Sequence, residues 1–239
     1  MRMRRDPQVA RPPAAVKARP ARGWRAPGDT ILNELAPGLL HHPGYLDAGA
    51  QAALAADLAA LLREAPPFTP RMPRTGAPFS VRMSNAGPLG WVSDRDGYRY
   101  QPTHPETGRP WPAMPAAVRR AWDDLSGTPH PPEACLVNLY APGTRMGLHQ
   151  DRDEEDLAAP VISLSLGATA VFRYGGTSRG GPTRSVRLES GDALVIGGAS
   201  RLIFHGVDRI VPAGLFAPDL EAVPPGGRLN LTLRRVTPP

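Results

Sequence analysis

Apolar residues recur at helical spacing in two stretches of the chain. In the first, leucines follow one another at intervals of three and four residues, which predicts a helix over residues 47–64. Pro66 and Pro67 then end it, because proline cannot continue a helix. A second amphipathic pattern predicts a helix over residues 114–126, which Gly127 stops. The chain is thus expected to contain only two helices of substantial length.

The rest of the pattern is typical of short strands separated by glycine-rich turns. Val, Ile, Leu and aromatic residues cluster in runs of a few positions, and glycine pairs or a Ser-Gly-Asp turn follow many of them. The predicted strands cover residues 79–85, 135–140, 161–166, 169–174, 185–188, 193–196, 202–206 and 228–236. Many short strands with little helix indicate a sandwich or barrel of the jelly-roll type. The fold class is therefore predicted to be mainly β, with an α+β composition.

Length and composition narrow the class of protein. A chain of 239 residues can bury a substantial core, which favours one domain plus an extension. Cys135 is the single cysteine, so no intrachain disulfide can form and a reducing compartment is expected. No apolar run is long enough to cross a bilayer, and the basic N-terminus leads into no apolar segment of a secretory signal. We therefore expect a cytoplasmic protein without a membrane partner, and a monomer.

The net charge of +6 is concentrated at one end of the chain. Residues 1–28 contain eight arginines and lysines against one aspartate, a net of +7, so the remaining residues carry −1. Such an Arg-, Pro- and Ala-rich arm is predicted to be disordered. It could strengthen attraction to nucleic acid through counterion release, and a leader without a role is an equal alternative.

A candidate metal site comes from two histidines and an aspartate. His149 and Asp151 are two residues apart, so on an extended strand both side chains point to the same face. His205 would supply a third ligand from a distant strand. Two imidazoles and one carboxylate on one face of an octahedron leave open positions, which is typical of non-haem Fe(II) oxygenases. Isolated histidines are more often structural, but the spacing and strand context here favour a metal.

Two predicted strands also present polar rows. On residues 228–234, leucines alternate with Arg228, Asn230, Thr232 and Arg234, a donor-rich face suited to a dicarboxylate because arginine binds carboxylates bidentately. A solvated face on an edge strand is the alternative explanation. On residues 136–140, Asn138 and Tyr140 share a face, where they would need either a ligand or an edge position to satisfy their polar groups.

These residues, taken together, resemble the AlkB family of Fe(II)/2-oxoglutarate-dependent nucleic-acid demethylases, most closely its bacterial type. The resemblance extends over about residues 30–236 and includes motifs beyond the metal residues. They are Gly90-Trp91, Gly97-Tyr98, the segments 111–115, 138–143 and 149–154, Ser163-Leu164-Ser165-Leu166-Gly167, the segment 200–206, and the 228–234 strand.

The resemblance implies a role for each candidate residue. His149, Asp151 and His205 would bind iron. The residues implied to hold 2-oxoglutarate are Asn138, Tyr140, Arg228, Asn230 and Arg234, with Arg234 as the partner of the distal carboxylate. The residues implied to contact the substrate are Met83, Trp91, Tyr98, Arg99, Tyr100, Asp153 and Arg179.

Within the substrate set, Trp91 would stack on a flipped-out base opposite the His205 ring, although loop packing is the alternative for Trp91 and Tyr98. The 98–100 segment would contact the nucleotide backbone, and Asp153 would accept a hydrogen bond from an exocyclic amine. Ile196 and Ala77 depart from the aromatic residues of the bacterial relative, which leaves lesion preference and cosubstrate affinity open.

The resemblance also implies an architecture and a reaction. Residues 1–28 would form the basic arm, residues 29–132 a helix- and hairpin-containing nucleotide-recognition lid, and residues 133–239 a double-stranded β-helix, or jelly roll. Fe(II), 2-oxoglutarate and O₂ would support oxidative demethylation of 1-methyladenine and 3-methylcytosine, releasing formaldehyde, succinate and CO₂. Alkylated single-stranded DNA is the expected partner, with RNA as an alternative. An oxygenase acting on a protein or small molecule, or a non-catalytic nucleic-acid-binding protein, are the other hypotheses.

Overall fold

The computed structural model describes residues 31–211 and 220–239. Helix α1 spans Ala48–Glu64, and Asp47 caps it because the aspartate side chain accepts a hydrogen bond from the Ala50 N–H at 2.9 Å. Helix α2 spans Ala116–Leu125, two residues later than predicted, because the backbone of Pro115 is still extended. A 3₁₀ turn covers Gly198–Ser200.

Within the described residues, thirteen strands form two sheets and a separate hairpin, and every pairing between them is antiparallel. The larger sheet contains, in spatial order, β1 (Asn33–Ala36), β2 (Leu39–His42), β11 (Ala193–Ile196), β8 (Val161–Gly167), β13 (Arg228–Arg234), β6 (Ala134–Tyr140) and β3 (Arg82–Ala86). The smaller sheet contains β10 (Arg184–Leu188), β9 (Ala170–Tyr174), β12 (His205–Ile210) and β7 (Met146–His149). The hairpin consists of β4 (Gly90–Asp94) and β5 (Gly97–Gln101).

One face of β13 packs in the hydrophobic core, and the other face lines a cavity. Leu229, Leu231 and Leu233 pack with apolar residues of both helices on the outer face of the larger sheet. The alternate residues, including Arg228 and Arg234, line a cavity that residues of the smaller sheet also line. This alternation follows from the two-residue period of a strand. Two facing antiparallel sheets with a cavity between them form the predicted jelly roll.

The boundary predicted between a lid and a core at residues 132 and 133 does not separate the sheets. Strands β1, β2 and β3 all precede it, yet they belong to the larger sheet. Strand β2 pairs with β11, whose residues lie about 150 positions later, and β3 pairs with β6. Only the β4–β5 hairpin forms a sheet of its own within residues 29–132, among the residues that the structure describes.

The predicted strand at 202–206 is displaced. Strand β12 begins at His205, because the turn after Gly198 continues through Leu202. The basic arm at residues 1–28 lies outside the described residues. Within the described part of the chain, no helix is long and apolar enough to cross a membrane.

Candidate active site

His149, Asp151 and His205 converge at one end of the cavity. His205 at the start of β12 pairs directly with His149 at the end of β7, and their ring centroids are 4.5 Å apart. Candidate ligand atoms of the three residues all lie within 4.8 Å of one another. Strand β7 ends at His149, so Asp151 lies in the following loop and not on an extended strand as predicted.

The hydrogen bonds of the two imidazoles define their ligand atoms. His149 Nδ1 lies 3.0 Å from the Gly147 carbonyl oxygen, and His205 Nδ1 lies 3.2 Å from that of Ile203. Because a carbonyl oxygen can only accept, each Nδ1 carries the proton and each Nε2 offers a lone pair. Both Nε2 atoms are 3.7 Å from the Asp151 carboxylate, so the three donors face a common point.

The charge states of these groups suit a divalent metal. Burial opposes ionisation of Asp151, but Arg234 and the two histidines outweigh it and hold the pKa of that carboxyl well below its usual range. Burial lowers the pKa of His205 to about 4, although the nearby Asp151 acts in the opposite direction. At neutral pH the site therefore presents an anionic oxygen and a neutral His205 imidazole, which is the donor chemistry of non-haem Fe(II).

Arg228 is a buried cation whose hydrogen bonds, among the described residues, all go to neutral oxygens. Its Nη1 donates to the carbonyl oxygens of Ala168 and Leu188 at 3.3 and 3.2 Å, and its Nη2 donates to Ser165 Oγ at 2.6 Å. Its Nε has no partner, and no carboxylate forms an ion pair with it among the described residues. A buried charge normally requires a counterion, so this end of the cavity fits a ligand carboxylate.

Arg234 lies at the other end of β13, beside the metal ligand. Its Nη2 is 2.9 Å from Asp151 Oδ1, and its Nη1 is buried without a partner. Two arginines with free N–H groups at the two ends of one cavity-lining strand fit 2-oxoglutarate, which carries a carboxylate at each end. A bound 2-oxo acid would face the metal with its oxo-acid end, so its distal carboxylate would lie away from Asp151. On this geometry we expect Arg228, and not Arg234 as the resemblance implies, to hold the distal carboxylate.

The remaining predicted cosubstrate residues line the same cavity, but they differ in how many polar atoms are free. Tyr140 is buried, and the Met146 sulfur, at 3.7 Å, is the one hydrogen-bond partner of its hydroxyl among the described residues. Asn138 has an unpartnered buried amide oxygen. Asn230 instead donates to Ser163 Oγ and the Leu164 carbonyl oxygen, so its amide is already largely satisfied. The first two residues therefore offer free polar groups to a ligand.

Aromatic residues form the exposed end of the cavity, whose volume is about 770 Å³. Trp91 is half-buried and stacks on Tyr98, with ring centroids 5.7 Å apart and an interplanar angle of 17°. The Trp91 indole N–H donates to Asp153 Oδ2 at 2.9 Å, and Phe79 meets the indole edge-on. Asn85 exchanges two hydrogen bonds with the Trp91 backbone, which fixes the start of the hairpin. Trp91 and Asp153, predicted separately, are thus direct neighbours.

The predicted nucleotide-backbone segment divides between the two faces of β5. Tyr98 and Tyr100 line the cavity, whereas Arg99 points to the other face and forms a two-fold ion pair with Asp94. Arg99 is therefore not brought into the site. Tyr100 does not present its hydroxyl to the open end either, because the hydroxyl donates to the Glu154 carboxylate.

Of the other predicted residues, Met83 is buried in the cavity wall, and Arg179 lies over the Phe204 ring at 5.1 Å from its centroid. Ile196 also lines the cavity, consistent with its predicted place near the cosubstrate. Ala77 instead lies exposed in a turn, where its carbonyl oxygen accepts from the Met72 N–H.

Sequence reasoning missed two buried charged residues behind the metal site. Glu154 and Arg201 are almost fully buried and bind each other at 3.0 Å. Glu154 lies within the 149–154 motif and Arg201 within the 200–206 motif, but the sequence alone predicted a role for neither residue. A charged residue directly beside a metal-ligand motif was the available signal.

A sequence model of the 2OG-Fe(II) oxygenase superfamily matches residues 38–234. The chain is 54% identical, over 199 residues, to the alpha-ketoglutarate-dependent dioxygenase AlkB homolog of Caulobacter vibrioides, covering 83% of this chain and 88% of that protein. The chain belongs to the AlkB family of these oxygenases. It is also 43% identical to Escherichia coli AlkB over 173 residues, covering 71% of this chain and 77% of that protein.

A solved structure supports the same fold. The structure of OsALKBH1 superposes with a TM-score of 0.71 at 33% sequence identity and covers 86% of this chain and 100% of that one. Two relatives match shorter segments: an Arabidopsis thaliana DNA N(6)-methyladenine demethylase, 47% identical over 108 residues, and a Schizosaccharomyces pombe tRNA demethylase, 44% identical over 80 residues. This chain covers 24% and 26% of those two proteins. Family membership makes the protein a dioxygenase that uses Fe(II), 2-oxoglutarate and O₂.

Proposed function

We propose that this dioxygenase demethylates N-alkylated bases in nucleic acid, with 1-methyladenine and 3-methylcytosine in single-stranded DNA as preferred substrates. The observation that carries the proposal is the Trp91–Tyr98 stack, which lines the same cavity as the metal triad. A half-exposed indole offers a flat surface for a base, and base–aromatic stacking contributes about 1–3 kcal/mol per base.

The position of the site inside a cavity favours a single-stranded substrate over a duplex. The triad and the aromatic stack lie in a cavity between strands and the hairpin, where a base still paired in a duplex cannot enter. A base must therefore be extruded, and extrusion is least costly when the base is mismatched, damaged or already single-stranded.

Charge around the cavity supports a polyanionic substrate. Arg145, Arg152 and Arg179 are exposed and line the cavity, and none of them forms an ion pair within the described part of the chain. Guanidinium groups without a carboxylate partner beside an aromatic surface suit nucleotides, because each phosphate supplies an anion. The names of the plant and yeast relatives, a DNA and a tRNA demethylase, agree with a nucleic-acid substrate.

The residues of the site have separate tasks in the reaction. Bound Fe(II) and 2-oxoglutarate supply the oxidising chemistry, in which one O₂ is consumed and 2-oxoglutarate becomes succinate and CO₂. The protein holds an N-methyl group near the triad, so that the methyl carbon is hydroxylated. The C–N bond then breaks, the carbon leaves as formaldehyde, the ring nitrogen keeps the bonding electron pair, and the hydroxyl proton is released. Asp153 uses Oδ2 to fix Trp91, which leaves Oδ1 to accept from an exocyclic amine of the base.

The direct test is the mass of methylated oligonucleotides after incubation with Fe(II), ascorbate and 2-oxoglutarate. We expect single-stranded DNA containing 1-methyladenine or 3-methylcytosine to lose one CH₂, with one formaldehyde formed per succinate. Matched RNA and duplex substrates measure the preference. Succinate that accumulates without mass loss on any methylated DNA or RNA contradicts the proposal and points to another substrate of the same dioxygenase.

Two variants separate chemistry from base binding. Asp151→Ala removes a metal ligand, so both succinate and demethylated product should disappear. Trp91→Ala removes the stacking surface, so KM for the oligonucleotide should rise by about 5- to 150-fold. Succinate formation without oligonucleotide should stay as in the unmodified protein. An unchanged KM would show that Trp91 serves loop packing. We further infer that the enzyme acts as a cytoplasmic monomer, with Cys135 buried and unpaired.

A further inference from the structure

A chain of buried polar contacts runs from the β4–β5 hairpin to the metal ligand Asp151. Its members are Tyr100 on β5, Glu154 and Arg201 in loops, and Arg234 on β13. The last three are at most 6% exposed. The reaction described above gives these contacts no role. In that reaction the hairpin contacts the base, and the triad binds the metal.

Glu154 is the centre of the chain. Its Oε2 is 3.0 Å from Arg201 Nη2, and its Oε1 is 3.1 Å from Arg234 Nε. The Tyr100 hydroxyl donates to the same Oε1. One buried carboxylate therefore forms ion pairs with two buried guanidinium groups and also accepts a hydrogen bond from the hairpin.

Both guanidinium groups also contact Asp151, but at different atoms. Arg234 Nη2 lies 2.9 Å from the carboxylate oxygen Oδ1. Arg201 Nη1 donates to the Asp151 backbone carbonyl oxygen at 2.6 Å, while its Nε donates to the Ala159 carbonyl oxygen at 2.8 Å. Arg234 thus binds the side chain of Asp151 and Arg201 binds its backbone, and both arginines form an ion pair with Glu154.

These contacts matter for the position of Asp151, because Asp151 does not lie on a strand. Strand β7 ends at His149, and the backbone from 150 to 160 belongs to no helix or strand. His149 and His205 are fixed by the pairing of β7 with β12, whereas the third ligand depends on side-chain contacts for its position.

We propose that Tyr100 and Glu154 are positioning residues for Asp151, so that the hairpin carrying Trp91 and the metal-binding carboxylate are held in register with each other. Tyr100 then belongs to the metal site and not to the nucleotide backbone. The effect on metal binding is independent of which base, if any, is demethylated.

The two residues should differ in how strongly they affect the metal. In Glu154→Gln, Asp151 is the one carboxylate left to Arg234 among these contacts, so Arg234 competes with the metal for it, while Arg201, which holds the Asp151 backbone, loses its ion-pair partner Glu154. Outer-shell partners of metal ligands typically change metal affinity about 10- to 100-fold, and we expect a loss in that range. Tyr100→Phe removes one hydroxyl without changing shape, so a loss of about fivefold is expected.

The experiment is a titration of the full-length apoprotein with Co(II) alone, followed by the d–d absorption spectrum of the bound ion. Both variants should bind more weakly, and the spectrum of bound Co(II) should change because the carboxylate is reoriented. Tyr45→Phe is the matched control, since the buried Tyr45 hydroxyl also donates to a carboxylate, that of Asp124, at 2.9 Å, and this pair is not part of the metal-site contacts. It should lose comparable thermal stability and keep the unmodified Co(II) affinity.

An unmodified affinity and spectrum for Tyr100→Phe would overturn the proposal, whether or not Glu154→Gln folds. Equal weakening by Tyr45→Phe would overturn it as well, because the effect would then follow general stability. No oligonucleotide is present, so this outcome is separate from that of the demethylation assay.

Discussion

Arg228 and Arg234 lie on the same face of β13 and differ in what neutralises them. Arg234 is paired with Asp151 and Glu154, whereas within the described residues Arg228 forms no ion pair and donates its hydrogen bonds to neutral oxygens, with Asp192 as a more distant anion. Burial lowers the pKa of Arg228 to about 10, so folding disfavours its charged form at every pH below that value. At neutral pH this is a cost to stability, and the bound distal carboxylate of 2-oxoglutarate would offset it.

Arg228→Met should therefore separate function from stability. The apoprotein should unfold at the same or a higher temperature, because an unpaired buried cation has been replaced by an apolar chain of similar length. KM for 2-oxoglutarate, measured by succinate formation, should rise by about 10- to 150-fold, since a charge-assisted contact is lost.

Arg209→Met is the control, because Arg209 is exposed on β12 and should change neither quantity. An unmodified KM in Arg228→Met would exclude Arg228 as a cosubstrate residue.

The sequence was sufficient to predict which residue types line the site, but not where each one lies relative to the metal. The alternation along residues 228–234 correctly predicted which side chains share the cavity face. It could not order Arg228 and Arg234 relative to the metal, because that order depends on which end of β13 lies beside Asp151. The same two-residue period could have excluded Arg99, since residues 98 and 100 must share a face that residue 99 does not.

Among the elements, β7 and β12 carry the two histidines and approach each other very closely. A Cβ added at Gly206 would lie 2.6 Å from the Met146 carbonyl oxygen and 2.8 Å from that of Gly147. Backbone atoms cannot move aside as a flexible side chain would. Glycine at 206 is therefore required for the pairing that sets the His149–His205 spacing.

Gly206→Ala should push β7 away from β12 and separate the two imidazoles. We expect Co(II) affinity to fall at least about tenfold, as for other disturbances around metal ligands. The unfolding temperature should fall only modestly, because the larger sheet and both helices are not involved.

Gly147→Ala tests the specificity of this effect, since an added Cβ there meets no atom within 4 Å. If both alanine variants bound Co(II) equally well, strand separation would not control the site.

Element boundaries were predictable where their causes are local. Helix α1 ends as predicted and begins one residue later, at Ala48, because Asp47 caps it and prolines follow it. Strand β12 was misplaced because Arg201 is buried by contacts with residues more than 40 positions away, which extends the preceding turn. Strands β1 and β2 were missed for a similar reason, since β2 is stabilised by pairing with β11.

On the scale of the whole molecule, charge and catalysis occupy different parts of the chain. Residues 1–28 carry +7 and lie outside the described residues, while the rest of the chain carries −1. The protein's positive charge is therefore not a property of the jelly roll.

Deletion of residues 1–28 should weaken binding of methylated single-stranded DNA at low salt and leave Co(II) affinity unchanged. The slope of log K against log salt should become shallower, by at most about 5 if all the net charge neutralises phosphates. Fluorescence anisotropy at several salt concentrations measures the slope. Equal slopes for both proteins would favour the alternative that the arm has no role in binding.

The place of β13 in the larger sheet has a consequence for biosynthesis. This strand lies between β8 and β6, yet it is the last strand in the described chain. During translation the three metal ligands emerge before it, and β6 and β8 are left with unpaired inner edges until residues 228–234 follow. Unpaired edges favour association between chains. The nascent protein is therefore most exposed to aggregation just before it acquires the arginines that bind its cosubstrate, and this interval is where a chaperone would have most effect.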